Sequence, residues 1–221
     1  MKDTVNEFKL KNRNNNGNTP ILNYWGASSE YGVLKDVLLG PVENYRWLKT
    51  SSVSKKTIRR NNEFKPDIAK KQYQEMVSAY TSAGVKVHTH QADPELPYQI
   101  FARDSSIMTP FGAIITNMAQ WWRKGENFRA IDTYHKLGIP IYDFITAGHF
   151  EGGDFNVIEP GCVLIGWEGE EGRSHFSAAK QLKEWFEDEG WEVFIADIDP
   201  YYVHIDLMVV MLAEKLASVC I

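Results

Sequence analysis

The chain has 221 residues, of which 43% are hydrophobic, 24% charged and 13% aromatic, which excludes disorder, collagen and coiled coil for most of its length and provides for a sizeable core. Lys and Arg number 24 against 29 Asp and Glu, for a net charge of −5, and the basic residues are scattered, so the electrostatic footprint of a nucleic-acid binder is absent. No apolar run approaches the ~20 residues of a membrane helix and the first residues lack the apolar stretch of a signal peptide, so the expectation is a cytoplasmic protein with a small-molecule or protein partner, no nucleic acid and no membrane.

Residues 1–20 contain six asparagines and few large apolar groups, and are expected to form a flexible tail before an α/β domain over 21–221. The run YGVLKDVLLG from Tyr31 reads as a buried strand closed by Gly40-Pro41. A helix is expected from Pro66 or Asp67, with Ile68, Tyr73, Met76, Val77 and Tyr80 at helical spacing, and another over roughly Glu126 to Leu137. In FNVIEPGCVLIG, Pro160-Gly161 turns between two β-branched runs. A third helix opens at Ser174, with Phe176, Ala179, Leu182 and Phe186 on one face. The final stretch HIDLMVVMLAEKLASVCI reads either as a hairpin turning at Ala213 to Lys215 or as a buried helix.

These elements repeat. AYTSAG runs into VKVHTH, TYHKLG into IPIYDF, and WFEDEG into WEVFIA, with Gly84, Gly138 and Gly190 spaced by 54 and 52 residues. Each glycine suits a left-handed helix C-cap leading into a strand, and a period of this size signals a repeated supersecondary unit. The unit is strand, strand, helix, strand. The apolar ending at Val219-Cys220-Ile221 stops inside the next hairpin, and the expectation is a chain lacking its last module or modules.

After each repeat strand comes a polar cluster within apolar sequence: FARDSS with Arg103 and Asp104, HFEGGDF with Glu151 and Asp154, and YYVHIDL with His204 and Asp206. Each has a plain reading: a surface pair, a tight turn with solvated acids, a satisfied core histidine. Their recurrence in register with the repeat favours convergence at one end of the assembly. Two chemistries suit several carboxylates and one histidine. A metal ion held by His204, Asp206, Glu151 and Asp154 is one. The other is a planar guanidinium gripped by two carboxylates, with a glutamate and a histidine left for proton transfer and a thiolate needed to attack the central carbon. Only two cysteines are present, Cys162 and Cys220, and burial in the core is the first expectation for either.

The ordered series SSEYGVLKDVLLGP, FARDSS, WWRKGE, FEGGDF, GRS and HID resembles the guanidine-modifying superfamily of arginine deiminases, dimethylarginine dimethylaminohydrolases and amidinotransferases, from about Ser29 to the last residue. The resemblance implies a pentein-type α/β propeller of pseudo-symmetric ββαβ modules, in agreement with the repeat. It makes Asp104 and Asp206 the carboxylates on the guanidinium, Glu151 the supporting acid and His204 the general acid/base, with Asp154 beside the pocket. It places Arg123 and Arg173 at the α-carboxylate of an amino-acid substrate. It also puts the nucleophilic cysteine well beyond the HID motif, where neither Cys162 nor Cys220 lies, so the nucleophile is expected outside this chain and the 221 residues are expected to be inactive alone.

The implied function is hydrolysis of the guanidino C–N bond of arginine or a methylated arginine through a covalent cysteine intermediate, with no cofactor and no metal. An amidinotransferase using the same intermediate is the alternative, and a catalytically dead arginine-binding module is another. An open propeller would expose an apolar flank, through which copies of the chain could associate.

Overall fold

A computed structural model describes residues 12–14, 16–50, 52–60, 64–169 and 171–220. Two complete copies of the repeated unit stand at its centre. In the first, β3 (Ser106–Thr109) and β4 (Gly112–Ile115) form a hairpin, α3 (Glu126–Leu137) crosses over, and β5 (Ile141–Phe144) returns parallel to β4. In the second, β6 (Phe155–Glu159), β7 (Cys162–Trp167), α4 (Phe176–Asp188) and β8 (Glu192–Asp197) repeat the pattern, and both sheets have the order hairpin strand, hairpin strand, returning strand. On one side lie α1 (Ser52–Arg59), α2 (Pro66–Ser82) and a parallel pair of β1 (Asp36–Leu39) and β2 (Lys86–Thr89). On the other is the antiparallel hairpin of β9 (Val209–Ala213) and β10 (Leu216–Val219), so the hairpin reading of that stretch holds and the helical one does not.

The repeat exists because the same local device ends each helix. Gly84, Gly138 and Gly190 have φ of 80°, 70° and 80°, the left-handed region in which glycine carries no Cβ penalty. From each, the chain drops directly into its returning strand.

Burial is unevenly distributed along the repeat. One apolar cluster joins Phe111, Ile114, Tyr142, Phe150, Phe155, Val163 and Ile165 to Leu182, Trp185 and Phe186 of α4. A second joins Ala113, Ile115 and Ile141 to Ala130 and Tyr134 of α3. The first unit departs from the expected buried strand: β1 is only half-buried, while Val33 and Leu34 before it are 90% and 48% exposed. The α2 helix forms as its periodicity predicts, yet no residue of it is buried, and Ile68 and Met76 face solvent. Among the described residues the sheet beneath it has two strands, where the other units have three.

Of the expected tail, residues 1–11 and 15 lie outside the described residues. Its described residues are packed against the domain: Arg13 Nη1 lies 2.5 Å from Asp143 Oδ2 and its guanidinium stacks over Trp185, while the Thr19 amide donates to Glu189 and its side chain is buried. Contacts with α4 and β5 hold this stretch against the central units. No helix among the described residues is long and apolar enough to cross a membrane.

The uneven burial has a measurable consequence. Leu182→Ala, at a fully buried position of α4, should lower unfolding stability by about 2–5 kcal/mol, whereas Ile68→Ala, at an equally apolar position of α2 that is 50% exposed, should change it by less than about 1 kcal/mol in urea titrations. Equal losses would show that α2 is covered in solution.

Candidate active site

Each polar cluster sits on a single 3-10 turn immediately before a hairpin: Ala102–Ser105 before β3, Gly152–Asp154 before β6, and Ile205–Leu207 before β9. Pseudo-symmetry brings the three turns to one end of the molecule, and close packing follows from glycine. A Cβ on Gly152 would lie 2.2 Å from the Arg103 carbonyl oxygen, and one on Gly153 would lie 2.7 Å from the His204 ring. The EGGD turn is therefore no solvated loop: Glu151 and Asp154 are both fully buried. Phe150 ahead of it is bridged to Asn117, whose side-chain amide donates to the Gly148 carbonyl, and this fixes the approach to Glu151.

His204 is the hub. Its Nδ1 lies 2.9 Å from Asp154 Oδ2, whose carboxylate also accepts from the Ser174 hydroxyl at 2.5 Å and from the Ile205 amide at 2.9 Å. A carboxylate has no proton to give, so Nδ1 carries the hydrogen and donates. Its Nε2 faces Glu151 Oε2 at 3.4 Å and Asp104 Oδ1 at 3.7 Å. Behind the Nδ1 side stands Glu168, with Oε1 3.8 Å away. Burial pulls the imidazole pKa down, but the hydrogen bonds to Asp154 and Glu151 and the charges of Asp154 and Asp104 outweigh it and hold His204 up at about 10. For Glu151, burial raises the pKa, yet His204, Arg173 and Arg123 overcome it and bring the carboxyl down to about 2. At neutral pH the arrangement is an imidazolium proton donor beside an ionised glutamate.

The two arginines differ. Arg173 Nη1 donates to Glu151 Oε2 at 2.9 Å while a third of its side chain stays exposed, so it can meet a ligand. Arg123, expected at a substrate carboxylate, is buried. Its Nη1 donates to Asp104 at 2.7 Å, its Nε and Nη2 chelate Glu126 at 2.9 and 2.7 Å, and Nη2 also reaches the Phe101 carbonyl. The physical reason is charge: three carboxylates converge there with little water, and a guanidinium fork satisfies all three. Arg123 is a strut beneath Asp104 and Glu151.

Two further residues take definite places. Asp154, expected beside the pocket among the substrate-binding groups, has both its oxygens bonded within the protein and none of it exposed, so it acts on His204. Asp206 accepts from Arg103 Nε at 2.7 Å, and it is pushed up by burial and by the charge of Asp104, against the pull of Arg103 and His204. Asp104 and Asp206 therefore each meet an internal arginine through one oxygen, Oδ2 in both cases.

Glu168 escaped the sequence reading because EGEEGRS looks like a solvated acidic loop. For a metal, the expected set of His204, Asp206, Glu151 and Asp154 does not assemble, since Asp206 turns to Arg103. The sets that do, Asp104 with Glu151 and His204 and Asp154 with Glu168 and His204, adjoin two guanidinium groups that oppose a dication. No cysteine joins either set among the described residues. Cys162 is buried at the start of β7, four residues and about 13 Å of strand from Gly166, which abuts Asp154. Cys220 is exposed, beside Tyr202.

The sequence model of the family described as "N,N dimethylarginine dimethylhydrolase, eukaryotic" matches residues 48–221. No curated protein matches the chain in sequence. Among solved structures, the chain is similar to DDAH from Pseudomonas aeruginosa, a cysteine-to-serine mutant complexed with citrulline, with TM-score 0.67 and 19% identity over 82% of this chain and 67% of that one. It is also similar to SxtG, an amidinotransferase from Microseira wollei in the saxitoxin biosynthetic pathway, with TM-score 0.65 and 18% identity over 85% of this chain and 67% of that one. The complex of an AgrE mutant with L-arginine gives TM-score 0.71 and 18% identity over 84% of this chain and 27% of that one. At such identities the likeness is one of fold, and that fold is the pentein-type α/β architecture that the family resemblance implies.

The buried imidazolium predicts a pH dependence. A folded pKa of about 10 against an ordinary 6.5 means that His204 contributes its full stabilisation below pH 6.5 and loses it as pH rises through 10. His204→Gln should flatten this fall, on the order of a few kcal/mol in wild type, in urea unfolding repeated from pH 6.5 to 10. Parallel curves would place the imidazole pKa at its ordinary value.

Proposed function

Because the chain belongs to the eukaryotic N,N dimethylarginine dimethylhydrolase family, within the guanidino-modifying superfamily, we propose that it forms the larger part of a hydrolase acting on the guanidino group of arginine or a methylated arginine. The observation that carries this reading is His204, clamped by Asp154 on Nδ1 and facing Glu151 and Asp104 from Nε2. In this reading a planar cation lies in front of that face: Asp104 Oδ1 and the second oxygen of Asp206 accept its N–H groups, and Arg173 takes the α-carboxylate at the rim. The site holds no thiol of its own, so the nucleophile in this reading is a cysteine outside these 221 residues.

The chemistry then follows from where the protons are. The thiolate adds to the guanidino carbon and forms a C–S bond, with Asp104, Asp206 and Glu151 balancing the cation. As the adduct collapses, the C–N bond breaks and the His204 imidazolium gives its proton to the departing amine or ammonia. The neutral imidazole next takes a proton from water, whose oxygen attacks the amidino-thioester carbon. Collapse expels the thiolate and leaves a ureido product. An acceptor amine in place of that water makes the same site an amidinotransferase, an alternative supported by the fold shared with the Microseira wollei enzyme. That no cysteine joins the clusters around His204 among the described residues supports a third reading for the chain on its own, a binding module without turnover.

Calorimetric titration tests the proposal. L-arginine and asymmetric dimethylarginine should bind saturably, agmatine should bind at least about tenfold more weakly for want of a carboxylate, and Asp104→Asn should weaken arginine by a similar factor. Absence of binding by any guanidino compound would overturn the substrate class. Release of citrulline by these 221 residues alone would overturn the external nucleophile.

A further inference from the structure

Directly after β7, the chain folds into a loop built around one carboxylate. The Glu168 amide donates to the Ser174 carbonyl at 3.1 Å, and its Oε2 accepts the Arg173 amide in a short hydrogen bond and the Ser174 amide at 3.4 Å. Gly172 is what makes room, since a Cβ there would lie 2.6 Å from both Cβ and Oε2 of Glu168. The side chain is 1% exposed, and its Oε1 has no hydrogen-bond partner while lying 3.8 Å from His204 Nδ1. A buried carboxylate oxygen left without a donor is costly to keep unless a nearby charge answers it. Here that charge is the imidazolium.

We infer that Glu168 is a positioning residue for His204: through Oε1 it joins Asp154 in holding the Nδ1 side of the ring, and through Oε2 it ties the histidine to the loop that carries Arg173. The groups around this unit are Asp154 and Glu151 from the turn before β6, Arg173 from Glu168's own loop, Asp104 from the turn before β3 and Asp206 from the turn before β9. Burial and the Asp154 charge push Glu168 up to about 7, against the Arg173 amide and the His204 charge, so near neutrality it changes charge. An ionised Glu168 strengthens the hold on the imidazolium, and a protonated one relaxes it. Proton affinity at His204 and the posture of the Arg173 loop thus vary together.

The inference rests on the proposed function only in taking His204 as the proton donor, and its test needs neither ligand nor turnover. In 15N and 13C NMR titration of the wild-type chain, the His204 ring nitrogens should show an inflection near pH 7 that coincides with titration of the Glu168 carboxyl. In Glu168→Gln that inflection should vanish and the His204 midpoint should fall by roughly one unit, a tenfold loss of proton affinity, with the Arg173 amide shifted as well. Glu168→Asp should recover part of the change, and Glu171→Gln, an exposed substitution in the same loop, should produce none. A His204 titration in Glu168→Gln that matches wild type, or a wild-type ring that does not respond as Glu168 titrates, would overturn the inference. Failure of arginine to bind while the two titrations remain linked would sink the proposed function alone.

Discussion

One buried imidazolium among carboxylates from three consecutive turns sets the terms for everything around it. Ions removed from water are tolerated only where opposite charge and hydrogen bonds replace the lost hydration. His204, Arg123 and Arg173 therefore meet Asp104, Glu151, Asp154 and Glu126 in one continuous network, and no member can be moved without stranding another. Backbone choices follow from the same requirement. Gly152, Gly153 and Gly166 are small because a turn, a ring or a carboxylate occupies the space a side chain would take. Ser174 is fully buried because its hydroxyl and amide serve Asp154 and Glu168.

The network lies where the molecule is best packed. The two complete units contribute most of the buried apolar residues, and Asp104, Glu151 and Asp154 stand on turns leading into their hairpins. The β9–β10 hairpin, which brings His204 with it, is anchored through Met211 and through Asn156, whose amide donates to the Val209 carbonyl. The strand pair β1–β2 and the helix α2 remain half-covered at the other flank. By the usual relation between apolar contact and local stability, that flank belongs to the softer part of the chain and the site to the firmer part.

The features legible in advance were local. A glycine after a helix, a Pro-Gly between two β-branched runs and a helical apolar stripe each report on a few neighbouring residues, and the helices, the hairpins and the repeat follow from them. The in-register recurrence of FARDSS, FEGGDF and HID signalled one shared end, and the fold places them there. Arg123 could not be read in this way: WWRKGE looks like a solvated basic segment until Asp104, 19 residues earlier, and Glu151, 28 residues later, are brought against it. Glu168 is hidden for the same reason, in an acidic loop whose meaning depends on a histidine 36 residues away.

Sequence alone determined the repeating unit, where each of its turns falls, and which ionisable residues those turns carry, because such features depend on backbone preferences and side-chain spacing within some ten residues. Only the tertiary structure decided which carboxylate faces which nitrogen of His204, that Asp206 turns to Arg103, that Arg123 is a strut while Arg173 reaches solvent, and that the face of α2 is left bare. Those outcomes rest on how the units are rotated against one another, and that rotation is set by packing between residues far apart in the chain, where no local pattern records it.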